Sequence, residues 1–419
     1  MALDLIRGAM FGCAVGDAIG LHTEFMSRSV SLSTYGPDPR FALEYPAPKG
    51  FVPLWEDRHR SKFPPGGWTD DTDQSILILM SFLRSGGRSV TPKDFAKRLR
   101  FWIENGFRPL DRLPLGIGLT VKSVVTDADF PEHPTDAAKR QWEKSDRNLA
   151  SNGAVMRTGI VGALFWQDKD GVGGIERTIK VAAEVAATTH ADPRCIISSI
   201  IVSALVAASI RDELKSIPDM NHIIKLCEDF MSTYDTPLLS SHLEELHAHL
   251  SVSSLDELKL DELEAIGYTY KCLGAGVWAL RQILTTPPIT PTAKALAYEK
   301  IITDLTMQGG DGDTNCAVAG SLLGAALGMS HLPRHWLVSL SNSEWLMNKT
   351  DAACYLMGLH HMVYDYEADA DTLVDGGLGA FTRAEMDGKV MMLQIEAAER
   401  MKAFSSKPPK RRIPKCIIM

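Results

Sequence analysis

Between Leu3 and Gly20 the chain carries an apolar run in which glycine returns every fourth residue, at positions 8, 12, 16 and 20. Leu3, Ile6, Ala9, Met10, Cys13 and Ala14 recur there at the spacing of a helix. Residues four apart share one helix face, so the glycines predict a groove free of side chains along which a second backbone packs closely. Each glycine inside a helix costs about 0.8–1 kcal/mol relative to alanine, so four of them imply that packing outweighs propensity. A chain that opens this way is committed to helix-on-helix architecture. Aromatic residues are only 7% of the 419, small residues crowd the apolar runs, and no stretch alternates as a half-buried strand does. The expectation is an all-α fold: one large domain over residues 1–406 with a dozen helices or more, then a separate tail at 407–419.

Two junctions carry more acid than a helix start requires. Gly67-Trp68-Thr69-Asp70-Asp71-Thr72-Asp73-Gln74 leads directly into the apolar helix Ser75 to Leu83. One Asp or Thr suffices to cap a helix. Three carboxylates and two hydroxyls in five positions repel unless something positive sits among them, and a hard cation such as Mg²⁺ takes carboxylate and hydroxyl oxygens. The same logic returns at Gly309-Gly310-Asp311-Gly312-Asp313-Thr314-Asn315-Cys316, ahead of the small-residue helix Ala317 to Gly328. It is not a calcium helix-loop-helix, because the Glu that motif needs further on is missing.

Ser151-Asn152-Gly153 opens a helix to about Trp166, with short side chains and free N–H groups where a phosphate can dock. Thr188-Thr189-His190-Ala191-Asp192-Pro193 precedes the apolar stretch Ile196 to Ile210, with Asp192 as cap and Pro193 at the first helical position. For Asp17, and for Glu24 one turn after Gly20, capping and solvation is the simpler reading and a role in a site the other. Ser27 to Pro65 has no sustained period, and a segment of that length is usually functional or a lid. Thr91-Pro92 and Thr290-Pro291 start further helices, Asn221 to Leu263 reads as charged surface helices, and Ile266 to Leu284 and Ser343 to Tyr364 as core helices. Asp365 to Phe381 reads as an acidic, glycine-containing loop, and Lys389 to Phe404 as a last amphipathic helix.

The net charge of -8 gives no general attraction to nucleic acid. The seven cysteines form no C-x-x-C pair and read as reduced core thiols, which with the absence of signal-peptide character in Met1 to Met10 gives a cytosolic or nuclear expectation. The tail differs from the body: Lys407 to Met419 holds five basic residues and three prolines with no acid. Its last four residues, Cys416-Ile417-Ile418-Met419, fit a C-a-a-X farnesylation signal at Cys416. A lipid plus a basic patch would hold the chain on an anionic cytoplasmic membrane face; a nuclear-localisation-like tail is the alternative.

In one order along the chain stand Gly16-Asp17-Ala18-x-Gly20 with Glu24, Thr69-Asp70-Asp71-Thr72, Ser151-Asn152-Gly153, His190 and Asp311-Gly312-Asp313-Thr314. Together these resemble the ADP-ribosylglycohydrolase family, relatives of the dinitrogenase-reductase-activating glycohydrolase. The resemblance implies that family's single orthogonal all-α domain and a centre of two Mg²⁺ ions, with Mn²⁺ also accepted. By position, Thr69, Asp70, Asp71 and Asp313 look like ligands of one metal, and Asp311, Asp313 and Thr314 like ligands of the second, with Asp313 bridging. Glu24 matches an acidic residue near the scissile bond or on the second metal, while Ser151, Asn152, Gly153 and His190 match positions lining the ADP-ribose cleft. The implied reaction is metal-dependent hydrolysis at C1″ of ADP-ribose attached to a protein side chain, arginine or serine, or to a small acceptor. Glu24, Asp70, Asp71 and Asp313 would carry it, with Glu24 or a ligand aspartate moving the proton. The competing readings are a silent ADP-ribose binder or membrane-tethered scaffold, and a two-metal phosphoesterase. Trp55, Trp68, Phe165 and Trp166 are the candidates for stacking on adenine.

Overall fold

The glycine-lined first helix finds its partner at the far end of the sequence. In the computed structural model, which describes residues 1–167, 175–287 and 290–405, the chain runs through α1 (Ala2–Gly20), α2 (Arg28–Tyr35), α3 (Asp70–Arg84), α4 (Pro92–Asn105), α5 (Leu119–Val125) and α6 (Pro134–Lys144). It continues with α7 (Val155–Phe165), α8 (Glu176–Ala187), α9 (Pro193–Ile210), α10 (Ile217–Ser232), α11 (Ser240–Leu250) and α12 (Thr269–Thr285). The last five are α13 (Pro291–Thr306), α14 (Gly312–Leu327), α15 (Arg334–Ser339), α16 (Ser343–Leu356) and α17 (Arg383–Ser405). Among the described residues the only β-type pairings are isolated bridges. The fold is all-α, a single domain around one contiguous apolar core from Ile6 to Cys354. The basic tail and Cys416 lie outside the described residues.

Helix α1 packs antiparallel along α14, and the two share one period. A Cβ on Gly8, Gly12, Gly16 or Gly20 would overlap the carbonyl oxygen of Gly324, Gly320, Cys316 or Gly312 respectively. The bare face of α1 therefore meets an equally bare face of α14, glycine at three of its four contact positions. The antiparallel sense sets the C-terminal end of α1, with Glu24 just beyond, beside the N-terminal end of α14, with Asp311 and Asp313. Helix α14 also packs on α7, α9, α12 and α13, so it is central. Helix α9, apolar apart from Arg194 and four buried serines and 94% buried, is a core helix of this bundle.

Some local expectations need correction. The acid-rich junction is itself helical: α3 starts at Asp70 with Thr69 as cap, because Asp residues are favoured in a first turn by the positive end of the helix dipole. The segment after Ser27 is not featureless. Ser27 caps α2, and the rest is held by buried Arg60, which donates to the carbonyls of Leu21 (3.1 Å) and His22 (3.0 Å). Helix α10 is more than a surface helix, since it buries Met220, Ile223, Ile224, Cys227 and Met231. The acidic stretch after Asp365 is anchored by Lys349, which lies 2.7 Å from Asp369 and 2.9 Å from Asp371.

Candidate active site and metal centre

Three helix starts and one helix end converge. Asp17, in the last turn of α1, is fully buried and serves α3: its carboxylate accepts the Thr69 N–H (2.9 Å), the Thr72 N–H (3.1 Å) and the Thr72 hydroxyl (2.6 Å). A carboxylate from one helix thus caps another, and this fixes Asp70 and Asp71 against α1. On the opposite side, the Thr314 hydroxyl stands 3.2 Å from Asp71 Oδ1, and the Thr69 hydroxyl 3.3 Å from Asp71 Oδ2. Asp311 is delivered by Gly309 and Gly310, both at φ +71°, a left-handed conformation that suits glycine. Backbone bonds from Phe25 N–H to Gly310 O (2.7 Å) and from Gly310 N–H to Met26 O (2.8 Å) lock this turn to the segment carrying Glu24.

The result is a concentration of buried negative charge. Oxygens of Asp17, Asp71 and Asp313 lie within 4.8 Å of one another, as do those of Glu24, Asp311 and Asp313, so Asp313 belongs to both groups. Burial raises the pKa of Asp70, Asp71 and Asp313 well above the carboxylate range, with the neighbouring acids adding to it; Asp311 is raised by burial too, and Asp17 is pushed up to about 6. Asp313 Oδ1 is buried with no hydrogen-bond partner. An orphaned carboxylate oxygen shared by two acidic groups fits a divalent cation, which takes oxygen ligands and removes the repulsion. Asp17 is the least suited to bind one, because both its oxygens already accept hydrogen bonds. Addition of Mg²⁺ is expected to stabilise the protein against heat by about 2–3 kcal/mol at 100-fold excess over Kd; calorimetry with and without chelator measures it, and identical midpoints would contradict it.

Above the acids opens a cleft of about 680 Å³. Glu24, Asp70, Asp311, Asp313 and Thr314 form its floor, and Gly116 to Val121, Asn148 to Gly153 and Leu263 to Tyr268 its walls. Asn152 donates to Asp311 (2.7 Å), joining wall to floor. Ser151 lies 2.9 Å from both Thr120 Oγ1 and His190 Nε2. His190 itself stands behind the wall, fully buried, with Nδ1 2.8 Å from the Thr189 hydroxyl. Burial pushes its pKa well down, so the ring is neutral. Buried Arg157 supports the floor from beneath, donating to Gln74 (2.7 Å), which donates to Asp70 (2.7 Å).

Several contributors to the site carry little or no local signal in the sequence. Of its four stacking candidates none lines the cleft: Trp68 is buried with its indole N–H on Asp73 (2.7 Å), Phe165 is in the core, and Trp55 packs on Phe404. The aromatic residues that do line it are Phe25 and Tyr268. Phe25, at φ 59° and 59% exposed, follows Glu24 directly, and that adjacency was the available signal. His59 Nε2 lies 2.5 Å from Glu24 Oε2, a contact across 35 residues that no local pattern announces.

An acidic floor shared by two helix starts, with a cleft above it, can hold divalent cations beneath a bound small molecule. Residues 2–366 match the family described as ADP-ribosylglycohydrolase, and the chain belongs to it: an enzyme acting on glycosyl bonds. The ADP-ribosylarginine hydrolase Tri1 of Serratia proteamaculans is 23% identical over 359 residues, covering 85% of this chain and 80% of that protein. The ADP-ribosyl-[dinitrogen reductase] glycohydrolase of Rhodospirillum rubrum is 24% identical over 370 residues, covering 85% and 97%. A solved structure described as an ADP-ribosylglycohydrolase-related protein complex aligns with a TM-score of 0.52 at 21% identity, over 86% of this chain and 99% of that one, a likeness of fold.

Proposed function

We propose that this enzyme hydrolyses the bond between C1″ of ADP-ribose and the guanidinium of an arginine side chain in a protein, with two divalent cations at the acidic floor. The observation that carries the reading is Asp313, whose carboxylate belongs to both acidic groups and keeps one oxygen free of any hydrogen bond. Thr69, Asp70, Asp71 and Asp313 would hold one cation, and Asp311, Asp313 and Thr314 the other. Bound there, Mg²⁺ or Mn²⁺ supplies a Lewis acid for the ribose hydroxyls and for the attacking water. The N–H groups of Ser151 and Gly153 and the Ser151 hydroxyl would receive the pyrophosphate, the Asn152 N–H being held by the Gly267 carbonyl (2.9 Å), with neutral His190 fixing the Ser151 hydroxyl from behind. Water forms the new bond to C1″ through its oxygen. The C1″–N bond breaks with its electron pair going to the guanidine nitrogen, which takes up a proton. Glu24, on the floor of the cleft, is placed to accept the proton that the water gives up. The arginine linkage is favoured because relatives named for it cover most of this chain.

The linkage is tested by offering arginine-modified and serine-modified peptides in excess Mg²⁺. Release from the arginine peptide at least about 100-fold faster in kcat/KM, about 2.7 kcal/mol, is expected. Preferential release from the serine peptide would overturn the linkage.

A further inference from the structure

Glu24 has a difficult position. Its side chain is 7% exposed, and its carboxylate stands in one group with Asp311 and Asp313. Those two acids repel it, and a glutamate side chain with several rotatable bonds gives way unless something opposite restrains it. That restraint comes from the segment between Ser27 and Pro65. Asp57 accepts the backbone N–H groups of His59 and Arg60, each at 2.9 Å, and pairs with the Arg60 guanidinium. Arg60 in turn donates to the carbonyl oxygens of Leu21, His22 and Glu24 itself. The turn is therefore fastened to the backbone around Glu24, and it presents His59 to the Glu24 side chain at 2.5 Å. The imidazole is gripped by two rings, Phe25 at 5.1 Å and Phe63 at 5.9 Å between centroids.

A second layer holds this turn from outside, and it comes from a part of the chain that the family match at 2–366 does not include. Helix α17 has a single buried residue, Ala397. A helix in water gains most of its stability from packing, so its position depends on a few anchors. Phe381 lies under Arg108 (3.6 Å) and Lys389 pairs with Asp111 (2.5 Å). At its other end Arg400 donates to the Ser61 carbonyl, one residue from Arg60, and Phe404 packs edge-on against Trp55 at 5.0 Å.

We propose that His59 is the positioning residue that keeps the Glu24 carboxylate directed into the cleft, and that α17 is the strap that holds the His59 turn in place. The inference rests on the activity proposed above and adds a residue and an element to it. An outer partner of this kind is worth about 10–100-fold when removed from metal or catalytic ligands.

The test is steady-state release of ADP-ribose from an arginine-modified peptide, with thermal midpoints and Mn²⁺ titrations on the same samples. Four full-length proteins are compared: wild type, His59→Ala, His59→Gln, and Arg400→Ala combined with Phe404→Ala. His59→Ala is expected to lose about 10–100-fold in kcat with KM changed less than about threefold. His59→Gln, which keeps an N–H donor, is expected to recover to within about fivefold of wild type, and the α17 double variant to lose about 3–10-fold in kcat. A His59→Ala kcat within about twofold of wild type overturns the inference. So does an equal loss in His59→Ala and His59→Gln with a midpoint lowered by more than about 5 °C, the signature of a packing role. If the wild type releases nothing, the proposed activity fails separately and Mn²⁺ affinity decides the inference. Binding weakened by about threefold or more in His59→Ala supports it, and unchanged binding overturns it.

Discussion

Asp313→Asn is expected to lower ADP-ribose release by at least about 10³-fold, about 4 kcal/mol of transition-state stabilisation. The same substitution is expected to leave the metal-free fold intact or slightly firmer. Both follow from one geometry. Asp313 is the member common to the two acidic groups, so losing its charge weakens both cation sites together. Without cations, however, its carboxylate is buried 4% exposed among Asp71, Asp311 and Glu24, and it gains nothing from a partner on its free oxygen. An amide of the same shape removes that repulsion and is expected to raise the midpoint in chelator by on the order of 2 °C. Turnover and calorimetry on the same sample separate the effects. A variant that turns over normally would remove Asp313 from the catalytic account, and one that unfolds in chelator would make its role structural.

The second large effect lies along the α1–α14 contact. Gly16→Val is expected to cost at least about 3 kcal/mol, enough to remove most soluble protein, because the new Cβ would meet the Cys316 carbonyl and neither helix backbone can move aside alone. Gly20→Ala is milder in size and closer to the chemistry. Its Cβ would press on Gly312 and on the Asp313 backbone at 2.6 Å, so the loss should appear in metal affinity, by about tenfold, as much as in stability. Gly388→Ala in α17 is the control. Nothing lies within 4 Å of its Cβ position, and helix propensity predicts a gain of up to about 1 kcal/mol. Urea titrations of the three variants check the order. A tolerated Gly16→Val would mean that the bare faces do not carry the packing.

These examples also mark how far the sequence could be read. The glycines of α1 follow from local spacing, and so do the two acid-rich helix starts, because the period and the excess of charge are visible within about ten residues. The matching face of α14, with Gly312, Cys316, Gly320 and Gly324, has the same spacing, but its pairing with α1 spans three hundred residues and only the folded chain displays it. Asp17 shows a subtler limit. It does cap a helix, as its residue type suggests, yet the helix is α3 rather than its own, and it is buried instead of solvated. Long-range partners also hid His59, since nothing in Asp57-Arg58-His59-Arg60 distinguishes a hook on Glu24 from an ordinary charged turn. The stacking candidates went astray for another reason. Tryptophan near a motif attracts attention, but Trp68 is consumed by the core and by Asp73, while Phe25 and Tyr268 reach the cleft from loops.

The measurement that bears most directly on the central claim is release of free ADP-ribose from an arginine-modified protein, followed with excess Mg²⁺, with chelator and with Asp313→Asn. The account predicts free ADP-ribose and unmodified arginine in Mg²⁺, and at least about 10³-fold less in the other two conditions. Release that continues unchanged in chelator, or no release while the metal-loaded protein still binds ADP-ribose, would contradict it.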